Sequence, residues 1–405
     1  MLKKVLFLHL FPFLFACSLI WSIIYYIDIH IVADDFKSVT KVKLIEGEQL
    51  RTSGFYPNLE IGNQAELYFI SSIKNKNQLT IFGSSEFTSS PYCSYKFFPD
   101  SFGIQSMGFG HAFHQNFCIL CELLAANEYV DSSKICILIS PGWFETKGTN
   151  ISAFVEFVRP NFLNRILYDD NIEDEYKFAV GKYINKHIKD LNGVSKSMTD
   201  LRYKYMISNS GFFSLDYVKA NFHKHLKRIH QKNDIVEVIK YQPKLNYLTA
   251  KSWTANKHKI LDDLQKEFIS NITNNDIYVY DEYYEKYLLN ENGKHTDGSI
   301  SKVNLKNSQE LKDFKLLVKY LASRSADCSF VIQTLNPYYY SNLKDNDALV
   351  DTLTNILDRN NIPYLNMHAS NKKDYEPGTL NDVMHLGDYG WMKINYFLDS
   401  LYNEN

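Results

Sequence analysis

Two short segments of the sequence carry side chains that could together perform nucleophilic catalysis. The first runs from Thr80 to Phe87, where apolar or β-branched residues are followed by Gly83, Ser84 and Ser85. A serine on a strand-to-helix turn projects at the carboxyl edge of an α/β sheet, where such folds keep their active sites. Because a serine hydroxyl is a poor nucleophile, it needs a base within hydrogen-bond reach and a third group that orients the base.

The second segment lies near the other end of the chain and supplies both missing groups, Asp382 and His385. Residues three apart on one helical turn lie side by side, so the carboxylate can hold one imidazole nitrogen and fix its tautomer. The other nitrogen then faces outward, toward a serine. The sequence therefore predicts a triad in the chain order Ser…Asp…His.

Each of these motifs also occurs by chance, because Gly-Ser-Ser is common in turns and Asp-x-x-His is short. Their placement favours the catalytic interpretation. One motif follows the first clear strand, and the other opens the last predicted helix of the chain.

Strands alternate with helices in two parts of the chain, first from the run at Gln78–Phe82 to the run at Ile135–Ile139 and again from residue 307 onward. Apolar or β-branched runs predict strands at Gln78–Phe82, Ile135–Ile139, Ser329–Leu335 and Ile362–Met367. Helical spacing of apolar residues predicts helices after Asn307, which begins a capping box with Glu310, around Leu349–Leu357, and from Trp391 to Leu401. This rhythm predicts an α/β fold with a parallel sheet and helices on both faces.

Two further loops are expected at the same edge of the sheet as the serines. Residues 91–110 have a loop-like composition and lead through Gly110 into a predicted helix from His111 to Ala126. A glycine-rich entry to a helix exposes backbone N–H groups that can bind an oxyanion, although an ordinary loop-to-helix turn has the same pattern. The loop from Ser140 to Phe144, which contains Trp143, ends the predicted strand Ile135–Ile139.

Composition excludes some classes of function. The 405 residues carry a formal net charge of -2, and nucleic-acid binders are usually basic. Five of the six cysteines lie outside the apolar N-terminal run, and an odd number cannot all pair internally, so buried free thiols are expected. No segment matches a metal-ligand template, and we expect no metal and no cofactor.

The N-terminal residues predict a membrane anchor over 1–32. Lys3 and Lys4 precede an uncharged run from Val5 to Tyr26, and about 20 helical residues span a bilayer core. The lysines favour a cytoplasmic N-terminus, which puts residues 33–405 outside the cytoplasm. A cleaved signal peptide is the alternative, but the run is longer than the apolar h-region of a usual signal peptide and no small-x-small site follows it. Within 33–405, residues of about 151–300 are expected to form a mostly helical insertion.

Taken together, these motifs resemble the DltD family, which has an SGNH-hydrolase-like fold with three α/β/α layers. The matches are the anchor, Gly-Ser-Ser-Glu after the first strand, the Ser-Pro-x-Trp-Phe loop, Gln115 after Gly110, and the late Asp-x-x-His followed by Gly390-Trp391. Two positions depart from the family pattern: Gly142 replaces a usual Gln, and Asn336-Pro337 replaces a usual Pro-x-Asn order.

The resemblance implies a role for each matched residue. It makes Ser85 the nucleophile, Asp382 the orienting carboxylate and His385 the base, with Ser84 as the alternative nucleophile. Gly110, Gln115 and Trp143 are expected to line the oxyanion or substrate pocket.

The resemblance also implies an activity and partners. The activity is transfer of D-alanyl groups onto teichoic acid or a similar envelope polymer, outside the membrane, through a D-alanyl-serine intermediate. The implied partners are a membrane-bound O-acyltransferase, the lipid bilayer, and a D-alanyl donor that is a carrier or an acylated membrane intermediate. Two alternatives remain: an SGNH polysaccharide O-acetyl esterase or acetyltransferase, and a non-catalytic partner of the O-acyltransferase.

Overall fold

The computed structural model describes residues 10–26, 54–56, 69–187 and 257–402. Short gaps interrupt these ranges at 71, 89, 102–103, 146, 159–161, 164, 167–168, 170 and 294. The chain divides into two compact units. One unit comprises Met1–Leu50 and Arg159–Lys244, and the other comprises Arg51–Val158 and Leu245–Asn405.

A parallel six-stranded sheet organises the second unit. Its order is β1-β3-β2-β4-β5-β6, and every neighbouring pair is parallel. The strands are β1 Gly54–Tyr56, β2 Gln78–Phe82, β3 Gln105–Phe109, β4 Lys134–Ile139, β5 Asp327–Ile332 and β6 Tyr364–Asn366. The predicted α/β class with a parallel sheet is therefore confirmed.

The central strands form where the sequence has buried apolar runs. β2 is buried along its whole length, and so are the last five residues of β4. Such continuous apolar character is typical of strands covered on both faces. The predicted strands at Gln78–Phe82 and Ile135–Ile139 are confirmed, and β5 ends earlier than predicted, at Ile332.

Helices cover both faces of this sheet. Phe330 contacts Phe314 on one side, with ring centroids 5.7 Å apart, whereas Val331 belongs to the core cluster of Trp391 on the other. Because successive strand residues point to opposite faces, the helices that carry Phe314 and Trp391 lie on opposite faces. The described helices of seven or more residues in this unit are α2 Ser94–Ser101, α3 Asn116–Ala125, α4 Ile151–Phe157, α6 Lys257–Ser270, α7 Gln309–Ser323, α8 Asp347–Arg359 and α9 Asp388–Tyr402.

The prediction that residues 91–110 form a loop was wrong. This region contains α2 and β3. The β3 sequence, Gln105 to Phe109, includes a serine and a glycine, and neither favours a strand locally. Pairing with β1 and β2 and complete burial of Ser106 stabilise the strand, and these tertiary effects are not visible in the sequence.

Two predicted helix starts were also wrong. The helix expected from His111 begins at Asn116, because the preceding residues form a turn in which Phe113 has a φ of 69°. The helix expected to be capped by Asn307 has Ser308 as its N-cap, whose side chain accepts a hydrogen bond from the Leu311 N–H. Glu310 is buried and bonds to Asn116.

The first unit contains helices α1, Phe11–Tyr26, and α5, Asp174–Lys186. Helix α1 contains no charged residue, and large side chains such as Phe13 are exposed, at 64%. Among the described residues, none of the helices has both the length and the hydropathy needed to cross a membrane. The predicted anchor includes residues 1–9 and 27–32, which lie outside the described residues. The central part of the predicted insertion, 188–256, also lies outside them.

Candidate active site

The turn that carries the candidate nucleophile follows β2 directly. Gly83 donates its N–H to the Phe109 carbonyl at 3.1 Å, which ties the end of β2 to β3, and a short 3₁₀ helix begins at Ser85. A Cβ on Gly83 would lie 2.8 Å from the Phe87 ring. Glycine is therefore required here because the Phe87 ring packs so closely against it.

The candidate base lies in a loop, and the prediction of a helical turn at Asp382–His385 was wrong. Helix α9 begins only at Asp388. The loop is closed by a hydrogen bond from the Asn381 N–H to the His385 carbonyl at 2.9 Å. Asp382 Oδ1 accepts the Met384 and His385 N–H groups, each at 2.7 Å. The local hydrogen bonds of an Asx-type turn thus hold Asp382 and His385 together where a helix was expected.

The three predicted catalytic side chains meet in one hydrogen-bonded row. Ser85 Oγ lies 2.7 Å from His385 Nε2, across 300 positions of sequence. His385 Nδ1 lies 2.6 Å from Asp382 Oδ2. Because a carboxylate can only accept, the Nδ1–H donates to Asp382, which leaves Nε2 to accept the Ser85 hydroxyl proton. This arrangement can activate a serine for nucleophilic attack.

The environment of His385 favours its protonated form. The hydrogen bond to Asp382 raises the pKa of His385, partial burial opposes this rise, and the charges of Asp382 and Glu86 add to it. The side chain of His385 is 31% exposed, whereas that of Asp382 is 13% exposed. A more basic imidazole accepts a proton from serine more readily, and the partial exposure leaves one side open to substrate.

The neighbouring serine, Ser84, has a different environment. It is 5% exposed, and its hydroxyl donates to the His111 carbonyl at 3.1 Å. Its contacts are those of a residue that holds the turn. The geometry therefore favours Ser85 over Ser84 as the nucleophile.

A second carboxylate, which the sequence reasoning missed, lies behind the turn. Glu86 is buried, and its Oε2 accepts the Ser84 N–H at 2.6 Å. Its Oε1 accepts from Gln333 Nε2 at 2.7 Å, just after β5. An acidic residue directly after the Gly-Ser-Ser turn was the available signal, since a buried carboxylate must find hydrogen-bond donors.

Comparison with known proteins identifies the family. The family model described as DltD protein matches residues 63–403. The chain belongs to the DltD family. Protein DltD of Staphylococcus aureus (strain NCTC 8325 / PS 47) is 23% identical over 291 residues, which cover 68% of this chain and 67% of that protein. Membership of the DltD family implies involvement in D-alanylation of teichoic acid.

The residues that the DltD resemblance predicts for the pocket lie on the loops after β3 and β4. Gly110 has a φ of 151°, and a Cβ there would lie 2.0 Å from the Gly83 carbonyl oxygen, so it packs against the serine turn. Gln115 is the N-cap residue of α3, and its Nε2 donates to the Trp143 carbonyl at 3.3 Å. Their predicted role in binding an oxyanion or substrate stays a prediction.

The structure shows which residues surround the two positions, Gly142 and Asn336, that depart from the DltD pattern. A Cβ on Gly142 would meet only ordinary contacts, the nearest being Ser140 Oγ at 3.4 Å. Asn336 supports the Asp382–His385 loop, because its N–H donates to the Val383 carbonyl at 3.1 Å. Its side chain donates to the Ile277 carbonyl at 2.8 Å. Asn336 therefore anchors this loop to the segment that follows β5.

The described residues also include other potentially reactive side chains. Within the part of the chain that the structure describes, no group of three or more His, Cys, Asp or Glu side chains could hold a metal ion. All six cysteines are free thiols; Cys17 is exposed and the other five are buried. Burial raises the pKa of Cys136 and of Cys328 to about 12, so both stay protonated at neutral pH.

Proposed function

We propose that this DltD-family chain transfers D-alanyl groups to a hydroxyl of teichoic acid, or of a related envelope polymer, through a covalent serine ester. The observation that carries the proposal is the row from Ser85 through His385 to Asp382, with contacts of 2.7 and 2.6 Å. A serine acts as a nucleophile at neutral pH only when a base can take its proton, and this row supplies the base and its orienting carboxylate.

In the first half-reaction, Ser85 Oγ attacks the carbonyl carbon of an activated D-alanyl donor while its proton moves to His385 Nε2. The bond to the donor's leaving group then breaks, and the leaving group takes the proton from His385. The negative oxygen of the tetrahedral intermediate is stabilised by the N–H groups of Ser85 and Gly110. The product is a D-alanyl ester on Ser85.

In the second half-reaction, a polymer hydroxyl gives its proton to His385 and attacks the ester carbonyl. The Ser85–acyl bond breaks, and the proton returns from His385 to Ser85 Oγ, so the enzyme is regenerated. Asp382 stabilises the imidazolium in both halves. Water in place of the hydroxyl would hydrolyse the ester.

The topology supports an SGNH-hydrolase-like fold. Without the short β1, the strand order is β3-β2-β4-β5-β6, the 2-1-3-4-5 order of flavodoxin-like sheets. In such sheets the order reverses beside the first strand, and ligands bind in the crevice at the carboxyl ends there. Ser85 follows β2, which occupies this position.

We further propose that residues 1–32 anchor the chain in the membrane, with the catalytic domain outside the cytoplasm beside a membrane-bound O-acyltransferase. The support is Lys3 and Lys4 before an uncharged run, and the exposed apolar side chains of α1. Protease treatment of intact protoplasts should digest the domain and spare the anchor. Full protection of the domain would reject this orientation.

The proposed activity can be tested by complementing a host that lacks this gene. We expect Ser85→Ala to leave cell-envelope D-alanine ester at the level of the empty vector. Ser84→Ala is the matched control and should keep most of the wild-type level, because the Ser84 hydroxyl only bonds to a backbone carbonyl. Wild-type ester in the Ser85→Ala strain would reject the proposed function.

A further inference from the structure

A second histidine, His114, lies buried beneath the nucleophile turn. Its side chain has no exposed surface. Its Nδ1 lies 3.1 Å from the Gly83 carbonyl oxygen, and its Nε2 lies 2.9 Å from Glu122 Oε2. Glu122, on α3, is itself buried at 6% exposure.

The partners of His114 fix how many protons the pair holds. A backbone carbonyl can only accept, so Nδ1 must carry a hydrogen. The contact between Nε2 and Glu122 Oε2 needs one further hydrogen, which either atom can carry. A His114 imidazolium facing a Glu122 carboxylate satisfies both contacts, and so does a neutral His114 facing a protonated Glu122. In both forms the Nδ1–H donates to the Gly83 carbonyl.

Aromatic neighbours fit a cationic ring at this place. The Phe157 ring stacks on the His114 ring with centroids 4.2 Å apart and planes inclined by 29°. The face of an aromatic ring attracts a cation, and the attraction is stronger away from water. The other carboxylates nearby have contacts of their own: Glu156 on α4 lies 3.9 Å from His111 Nδ1, Glu86 accepts the Ser84 N–H, and Glu310 accepts the Asn116 N–H. Glu122 is the carboxylate that contacts His114.

The hydrogen bond to Gly83 gives this pair a role at the active site. Gly83 connects β2 to the serines, and its N–H is already bonded to the Phe109 carbonyl. With His114 on its carbonyl, both polar backbone groups of Gly83 are held, and the peptide that leads into Ser84 and Ser85 has one orientation.

We propose that His114, hydrogen-bonded to Glu122, is a positioning residue that fixes the turn so that Ser85 Oγ meets His385. This role rests on the proposed function, because it concerns presentation of the nucleophile. Even as an ion pair, the buried His114 and Glu122 side chains would add little stability. Their contribution therefore lies in the backbone geometry that they impose on the turn.

The protonation state of His114 can be measured directly. In the full chain labelled with ¹⁵N-histidine and held in detergent, Nδ1 of His114 should give the shift of a protonated ring nitrogen at about pH 7.5. The resonances are assigned by their loss in His114→Asn. An Nδ1 that carries no hydrogen would overturn the donation to the Gly83 carbonyl, and the positioning role with it.

The positioning role is tested by two double variants of nearly equal size. His114→Asn with Glu122→Gln keeps an N–H donor for the Gly83 carbonyl, whereas His114→Leu with Glu122→Gln removes it. The readout is the rate at which a fluorophosphonate labels Ser85, measured well below each variant's melting temperature. We expect the Asn variant within about 3-fold of wild type and the Leu variant at least about 10-fold slower.

The outcomes separate the two proposals. Equal labelling rates for the Asn and Leu variants, with Ser85 labelled in the wild type, would overturn the positioning role alone. A wild type that is not labelled at Ser85 would reject the nucleophile assignment, and the role of His114 would fail with it.

Discussion

In the proposed mechanism, the reactivity of Ser85 depends on which tautomer His385 adopts. Asp382 makes two kinds of contact at once: one oxygen accepts two backbone N–H groups of its own loop, and the other accepts the His385 Nδ1–H. The loop bonds hold the carboxylate still, so the imidazole is oriented by a fixed partner. Nε2 is then available as the acceptor for Ser85.

The contribution of Asp382 predicts a change in pH dependence. In the proposed mechanism the neutral form of His385 is the base, so kcat/KM should rise with pH through its pKa, which the bond to Asp382 raises. In Asp382→Asn that pKa falls, and the low-pH limb of the profile moves to lower pH. The limiting rate should fall on the order of 10³- to 10⁴-fold because the tautomer is no longer fixed.

The measurement is the rate of Ser85 labelling between about pH 5 and pH 9. Asp388→Asn is the control, because it removes a nearby charge while keeping an acceptor for the Ser90 hydroxyl. A low-pH limb that stays in place in Asp382→Asn would contradict the assignment of Asp382.

The elements around the site are held together by close contacts between backbones and by buried polar side chains that bond to the first residues of helices. The turn after β3 lies against the turn after β2, since Gly110 approaches the Gly83 carbonyl too closely for any side chain. Helix α3 begins just beyond this turn, and Glu310 from α7 accepts the Asn116 N–H at 3.0 Å and Asn116 Nδ2 at 2.8 Å. The site is thus positioned by contacts between elements distant in sequence.

Gly110→Ala should destabilise the protein by more than about 2 kcal/mol and abolish labelling of Ser85, because the added Cβ meets a backbone atom that cannot move aside. Gly142→Ala is the matched control, with only ordinary contacts around its Cβ, and should change the free energy of unfolding by less than about 1 kcal/mol. Urea unfolding and labelling measure both effects. A stable, reactive Gly110→Ala variant would contradict this packing.

Glu310 predicts how stability depends on pH. Burial, and second the charge of Asp313, raise the pKa of Glu310 to about 8, from an ordinary value of 4.5. Between these values the folded protein keeps a proton that the unfolded chain releases, so the stabilisation present below pH 4.5 is lost as pH rises. The loss approaches about 1.4 kcal/mol per pH unit.

Glu310→Gln keeps an acceptor for Asn116 but does not titrate, so its stability should fall less than that of the wild type between about pH 5 and pH 8. Urea unfolding at both pH values gives the difference. Glu128→Gln, at an exposed position, is the control and should follow the wild type. Parallel loss of stability in Glu310→Gln and the wild type would refute the raised pKa.

At the scale of the whole molecule, the chain brings residues near 85–95 against residues near 382–395. Ser90 Oγ donates to Asp388 Oδ1 at 2.6 Å, and Ser94 Oγ donates to Asn395 Oδ1 at 2.7 Å. Asn395 Nδ2 in turn donates to the Tyr92 carbonyl at 2.8 Å. These bonds surround the contact between Ser85 and His385.

Asn395→Leu should therefore cost about 2–4 kcal/mol of stability, since a similar volume is kept while Ser94 Oγ and the Tyr92 carbonyl lose a buried partner. Asn355→Leu is the control, because Asn355 is exposed on α8 and should cost less than about 0.5 kcal/mol. Thermal unfolding measures both. Equal losses of stability in the two variants would show that the Asn395 hydrogen bonds do not hold the segments near 85–95 and 382–395 together.

Much of this architecture can be predicted from local sequence. Buried apolar runs predicted β2 and β4, and short polar motifs singled out Ser85, Asp382 and His385, which lie in one hydrogen-bonded row. β3 was missed because Ser106 and Gly108 have little strand propensity of their own. Its pairing partners, which stabilise it, are distant in sequence.

The supporting residues of the site could not be predicted for a related reason. Gln333 meets Glu86 across 247 positions, and Glu310 meets Asn116 across 194. Glu310 instead suggested a capping box with Asn307, because local spacing carries no information about a partner on another helix. Likewise, nothing in the sequence around His114 points to the carbonyl of Gly83.

The most direct test of the central claim is to trap the acyl enzyme and map it. The full-length protein is treated with a fluorophosphonate or an activated D-alanyl ester, digested, and examined by mass spectrometry. The adduct should lie on Ser85, be absent in Ser85→Ala, persist in Ser84→Ala, and form at least about 10²-fold more slowly in His385→Ala. An adduct on Ser84, or one that forms equally fast without His385, would contradict the account.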